Sequence, residues 1–149
     1  MGLYFEEFTV AQRFEHRVRR TVTETDNLLF SALTMNPAAI HLDAEYCRDT
    51  PFGERIVNSV FTLGLLVGLS VYDTTYGPTI GNLGWDEVKF PRPVRIGDTL
   101  RAVTTVHSVR ESRSRSDSGI VVFDHRAYNQ RDEEGASCRR AALMLKRPT

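Results

Sequence analysis

In the segment Thr34-Met35-Asn36-Pro37-Ala38-Ala39-Ile40-His41-Leu42-Asp43, an asparagine and a histidine stand five residues apart. Histidine is the side chain best suited to exchange protons near neutral pH. Asparagine cannot act as a base, but its amide donates and accepts hydrogen bonds and can orient a water or a substrate carbonyl. An irregular loop between two helices would let Asn36 and His41 converge. A capping asparagine and a structural histidine satisfy the same spacing, so the pair alone does not establish a site. The other histidines, His16, His107 and His125, fall in alternating strand patterns and read as ordinary strand residues. Cys47 and Cys138 are too few and too far apart for a disulfide framework or a zinc cluster, and neither has neighbours that would activate a thiolate. Arg110, Arg113 and Arg115 read as a solvated hairpin tip.

The elements that must position the pair follow from periodicity. Phe14 to Val22 alternates loosely and suits a half-buried strand. Thr23-Glu24-Thr25-Asp26 supplies a helix start, with Leu28, Leu29, Ala32 and Leu33 at helical spacing behind it. That helix must end near Met35, because Pro37 disfavours helical geometry at Asn36. A second short helix is expected after His41, with Asp43 near its start and Thr50-Pro51-Phe52-Gly53 breaking it. Ile56 to Val71 reads as an apolar helix of about four turns, buried within the protein. Gly64 and Gly68 lie four apart on it. Each costs about 1 kcal/mol against alanine in a helix interior, so close approach of another backbone is expected there. The remainder reads as strands: Ile80 to Phe90, Leu100 to Val109, Ile120 to Asn129 and Ala136 to Lys146, with a polar loop over Arg110 to Ser118. Helices first and hairpin-connected strands second predict an α+β domain over residues 1–149, an antiparallel sheet wrapped around one long apolar helix.

Composition narrows the function classes. Nineteen Lys+Arg against nineteen Asp+Glu give a formal net charge of zero, which argues against a general nucleic-acid binder. The most apolar stretch is shorter than the roughly 20 residues of a membrane span, and Asn58, Ser59 and Thr62 interrupt it. Met1 to Val10 is acidic and aromatic and lacks the basic and apolar regions of a secretory signal. The expected location is the cytoplasm, with no membrane association. Neither a phosphate-binding glycine loop nor a metal-ligand cluster is present.

Several segments, in order, resemble the MaoC-like (R)-specific enoyl-CoA hydratase family: Tyr4-Phe5-Glu6-Glu7-Phe8, Thr21 to Asp26, Asn36 to Asp43, Phe52-Gly53-Glu54-Arg55-Ile56, and Phe90 to Leu100. The His-x-Asp and Pro-Val-x-x-Gly-Asp-Thr-Leu elements are the most specific. Asn58 to Leu65 and Gly81-Asn82-Leu83-Gly84-Trp85-Asp86 are similar to members acting on mesaconyl-, itaconyl- or methylmalyl-type CoA thioesters. The resemblance implies a hot-dog fold, a hydratase or dehydratase of acyl-CoA, no metal or other cofactor beyond the CoA of the substrate, and a homodimer or higher homo-oligomer.

Family members carry a motif close to Asp-x-Asn-Pro-Ile-His, whose Asp and His together activate a water. Here His41 matches the histidine, but Asn36 occupies the aspartate position. The resemblance therefore implies His41 as the acid–base group and Asn36 as an orienting partner, with Asp43 structural. It also implies an oxyanion site at the start of the apolar helix. The family has a His-Gly step where this chain has Asn58-Ser59, and the Ser59 N–H survives that change. Asn58 either contacts substrate or caps the helix. Arg92 and Arg95, with planar forks suited to carboxylates and phosphates, are candidates to meet CoA or a substrate carboxylate. Two other functions stay open: an acyl-CoA thioesterase on the same fold, and a non-catalytic acyl-CoA-binding or dimerisation module.

Overall fold

The computed structural model describes residues 2–148. A short 3-10 turn at Phe5–Glu7 precedes β1 (Arg13–Thr21), α1 (Glu24–Leu33), α2 (Ala39–Leu42), α3 (Ala44–Arg48) and α4 (Ser59–Thr74). Four strands follow: β2 (Thr79–Lys89), β3 (Thr99–Glu111), β4 (Ser118–Tyr128) and β5 (Glu134–Leu145). All five strands pair antiparallel in the order β1-β3-β4-β5-β2, leaving β1 and β2 at the edges. The expected α+β architecture is the one observed, with α4 packed on β1, β3, β4 and β5.

Alternation along the strands puts one set of side chains under α4. Leu66 and Leu69 of the helix meet Leu100, Ala102, Ala127, Ala136 and Cys138, all buried. Burying a leucine-sized side chain contributes roughly 1.5–3 kcal/mol, so this layer fixes where the helix lies. The N-terminal turn closes the other end of the same face. Phe5 and Phe8 pack with Val106, Val121, Phe123, Ala142 and Met144. Gly119 makes room for Phe5, since a Cβ there would lie 2.2 Å from its ring.

Two expectations about α4 are corrected. It begins at Ser59 rather than Ile56, because the preceding residues are committed elsewhere. Ile56 bridges to Arg95, and the Val57 N–H donates to the Val94 carbonyl at 2.9 Å. Gly64 and Gly68 face open space: a Cβ on either would meet nothing within 4 Å. No backbone among the described residues approaches them.

Candidate active site

Helix α1 begins in a reciprocal cap. Asp26 N–H donates to Thr23 Oγ1 at 3.2 Å, and Thr23 N–H to Asp26 Oδ2 at 2.8 Å. It ends in a Schellman turn, with Met35 N–H bonded to the Ala32 carbonyl and Asn36 N–H to the Ser31 carbonyl. Met35 holds the left-handed position at φ 53° that glycine usually takes. The turn places Asn36 just beyond α1. There its Oδ1 accepts the Ala38 N–H at 3.0 Å, and its Nδ2 has no partner among the described residues.

His41 lies on the one-turn helix α2, not in the irregular loop expected from the sequence. Its Nδ1 is 2.9 Å from the Ile56 carbonyl oxygen. A carbonyl can only accept, so Nδ1 carries a proton, and in the neutral ring the lone pair is on Nε2. Nε2 has no partner among the described residues. Asp43 caps α3 by accepting the Tyr46 N–H at 2.9 Å, which is the structural role expected of it.

The His41 ring lines a cavity of about 230 Å³, whose other walls include Phe52, Ile56, Val57, Ser59, Thr62, Phe90, Arg92, Pro93, Val94 and Gly135. Mostly apolar walls with a few convergent polar groups are the usual character of a small-molecule site. Ser59 is the first residue of α4, and its N–H has no acceptor among the described residues. It sits at the positive end of a four-turn helix dipole. His41 and Ser59 thus share one cavity. Asn36 is not on its wall.

The remaining candidates separate. Asn58 is buried, and both ends of its amide are engaged. Oδ1 accepts the Val60 N–H at 3.1 Å and Nδ2 donates to Ser31 Oγ at 3.3 Å. It is the cap of α4, and the substrate-contact alternative is corrected. Arg92 reaches the cavity, its guanidinium 3.1 Å from Glu133 and largely exposed. A hydrogen bond from Asn129, with help from Arg131, holds the Glu133 carboxyl below the usual range. Arg95 lies off the wall, paired with Glu54 and donating to the Phe52 carbonyl at 3.2 Å. In this structure it holds the loop that carries Phe52 and Glu54.

Sequence reasoning missed Asn27. This residue is fully buried on α1. Its Nδ2 donates to the carbonyls of His41 at 3.0 Å and Ile56 at 3.4 Å, and its Oδ1 accepts the Asn58 N–H at 2.8 Å. An asparagine interrupting the apolar face of a helix, between Asp26 and Leu28, was the available signal.

Sequence reasoning also took His16 and His125 as ordinary strand residues, yet both are buried under α4 in one polar chain. His16 Nδ1 is 2.7 Å from Asp73, and its Nε2 is 2.8 Å from Thr104 Oγ1. That hydroxyl is 2.8 Å from His125 Nδ1, and Arg140 Nε donates to His125 Nε2 at 3.2 Å. His107 is exposed beside Asp124, as a strand residue facing water. Burial pushes the Cys138 thiol up to about 11, so it is no nucleophile at neutral pH.

Among known proteins, the MaoC like domain family matches residues 6–127. The mesaconyl-CoA hydratase of Cereibacter sphaeroides is 32% identical over 99% of this chain and 43% of its own length. The β-methylmalyl-CoA dehydratase of Chloroflexus aurantiacus is 27% identical over 98% of this chain and 41% of its own. The chain therefore spans less than half the length of these two relatives. A crystal structure of a MaoC-like dehydratase from Rhodospirillum rubrum superposes with a TM-score of 0.87 at 29% identity, covering 99% of this chain and 100% of that one. A Mycobacterium tuberculosis protein with a double hot-dog fold gives a TM-score of 0.87 at 20% identity, over 99% of this chain and 45% of that one.

Proposed function

The chain belongs to the MaoC-like domain family, and on that premise we propose that its hot-dog fold carries a hydro-lyase active site. It adds or removes water at an α,β-unsaturated or 3-hydroxy acyl-CoA thioester. In the hydration direction His41 Nε2 takes a proton from a water in the cavity. Asn36, whose Nδ2 is unpartnered among the described residues but which does not line the cavity, would orient that water from outside its wall. The water oxygen bonds to the β-carbon, and the double-bond electrons move through the α-carbon to the thioester oxygen. The Ser59 N–H donates to that oxygen as its charge grows, a contribution typically worth about 10²–10³ in rate. The α-carbon then takes that proton from His41 Nε2 and the thioester carbonyl reforms, which returns His41 to its starting state. The thioester is itself the electron sink, so the scheme calls on no resident metal or redox cofactor. CoA arrives as part of the substrate.

The observation that carries this function is the shared cavity: His41 with its lone-pair nitrogen unpartnered, and Ser59 with its N–H unpartnered, on the walls of one apolar pocket. At about 230 Å³ it is smaller than the roughly 300–1,000 Å³ of sites that enclose a drug-sized ligand. It suits the acyl and thioester end, with the rest of CoA outside. The named relatives support a short branched or dicarboxylic acyl group. Arg92, at this cavity, offers its guanidinium to a second carboxylate or a CoA phosphate. The proposed location is the cytoplasm. Among the described residues, no helix is long and apolar enough to cross a membrane.

The proposed assembly is a homodimer. Edge strand β2 exposes Ile80, Leu83, Trp85 and Val88, with Phe90 just beyond it, and α4 leaves Val60 and Tyr72 uncovered beside Gly64 and Gly68. A second copy covering both would protect an unpaired apolar edge.

Incubating the protein with mesaconyl-, itaconyl- and crotonyl-CoA, and with the matching 3-hydroxyacyl esters, tests the activity. Interconversion of enoyl and hydroxyacyl esters, reduced about 10²–10⁴-fold in His41→Ala, is expected. Release of free thiol instead identifies a thioesterase, and no turnover by the wild type identifies a binding or dimerisation module.

A further inference from the structure

We propose that Asn27 is the positioning residue of this site, locking the His41 ring and the start of α4 into one relative geometry; this deepens the hydratase reading and rests on it. Three segments meet at its side chain: α2 through the His41 carbonyl, the connection before α4 through the Ile56 carbonyl, and the cap of α4 through the Asn58 N–H. The Ile56 carbonyl is the decisive one. It accepts both Asn27 Nδ2–H and the His41 Nδ1–H. The acceptor that dictates which His41 nitrogen bears the proton is therefore itself held by Asn27. The other end of the same amide fixes the Asn58 peptide N–H, and the next N–H in the chain is the one Ser59 presents to the cavity.

The chemistry of the position is restrictive. It needs two donors on one planar group and an acceptor beside them, which only a carboxamide supplies. Aspartate has the same shape, but it sets a carboxylate against two carbonyls and removes both donors. Leucine fills a similar volume and removes the Asn27 bond from all three backbone groups, leaving the Ile56 carbonyl only the His41 Nδ1–H. Glutamine keeps the chemistry at the expense of one extra methylene. Asn27 touches neither the cavity nor the reacting atoms. It acts through the orientation of His41 and Ser59, while other cavity walls (Phe90, Pro93, Val94) come from a segment with which it makes no hydrogen bond.

The test compares wild type with Asn27→Asp, Asn27→Leu and Asn27→Gln by two measurements. Long-range ¹H–¹⁵N NMR of the ligand-free protein is expected to show His41 as the Nδ1–H tautomer in wild type. In Asn27→Asp and Asn27→Leu it should show a mixture with the Nε2–H form. Steady-state kinetics on the best thioester are expected to show kcat down about 10–100-fold, the scale of losing a group that orients a functional ligand. KM should stay within about threefold, and Asn27→Gln should recover part of the loss. An Asn27→Asp or Asn27→Leu variant that folds with the wild-type tautomer, or whose melting temperature falls while kcat holds, would overturn the proposal. Should Asn27→Asp and Asn27→Leu not fold, an unchanged tautomer and kcat in Asn27→Gln, whose longer side chain must displace the Ile56 carbonyl, would overturn it equally. A wild type that turns over no thioester defeats the hydratase reading, and the NMR measurement still decides the case of Asn27 separately.

Discussion

Arg140 Nε lies 3.2 Å from His125 Nε2, a guanidinium donating to an imidazole with no carboxylate between them. That contact sets the direction of the whole buried chain. Nε2 of His125 must accept, so its Nδ1–H donates to Thr104, whose hydroxyl proton turns to His16 Nε2. The His16 Nδ1–H then meets Asp73. Charge at the buried end is thereby joined to charge at the exposed end through polarised neutral groups. Arg140 Nη2 is buried with no acceptor among the described residues, so nothing nearby would welcome a second positive charge.

A pH dependence of stability follows from His125. Burial, then the Arg140 guanidinium and then His16 hold it well below the usual histidine range. In the unfolded chain it returns to about 6.5. As pH falls through that value the unfolded state gains a proton that the folded state refuses, so stability present above it is lost below it. The loss for one such group is about 1.4 kcal/mol per pH unit. Thermal melts between pH 7.5 and 5 are expected to show a falling Tm. In His125→Gln the melt should start lower and fall less steeply. Parallel slopes in the two proteins would remove His125 as the cause.

Asn36→Asp tests the departure from the family motif. Among the described residues, the one hydrogen bond made by the Asn36 side chain is an acceptance from Ala38 N–H, which a carboxylate oxygen makes equally well. The fold should be indifferent, with Tm within about 2 °C. A carboxylate can share proton transfer with His41, so the hydration rate is expected to rise or its pH of maximum rate to move. A variant with an unchanged pH–rate profile would place Asn36 outside contact with the reacting water.

Much of this was legible in the sequence where a local signal and a tertiary need agreed. Thr23 and Asp26 cap α1, Pro37 follows its end, and the β3, β4 and β5 alternations match the faces that α4 covers. The α4 boundary was missed because hydropathy cannot tell Ile56 and Val57 from helix. Their backbone pairing with Val94 and Arg95 can be seen only when residues about 37–39 positions apart are brought together. The same limit hid Asn27 and the His16–His125 chain. Each polar residue reads as a local exception until its partners, 14 to 88 residues away, are placed beside it. Gly64 and Gly68 differ for the opposite reason: their spacing invites a packed backbone, and among the described residues none arrives.

Ser59→Pro separates the proposed oxyanion donor from every other property of its position. Ser59 is the first residue of α4, where proline is favoured because its fixed φ suits the helix and the missing N–H has no helical acceptor. The preceding residue is compatible too. Asn58 has φ −55° and ψ 124°, within the extended region that proline imposes on its predecessor. The Asn58 cap bonds to Val60 N–H, not to Ser59, and so survives the change. The helix should therefore stand and the melting temperature should hold within a few degrees. What disappears is one backbone donor at the cavity wall, and kcat is expected to fall about 10²–10³-fold. Ser59→Ala, which keeps the N–H and loses only the hydroxyl, should retain most of the rate. If proline and alanine behave alike at full stability, the thioester oxygen is not held by this amide and the start of α4 has no part in the chemistry.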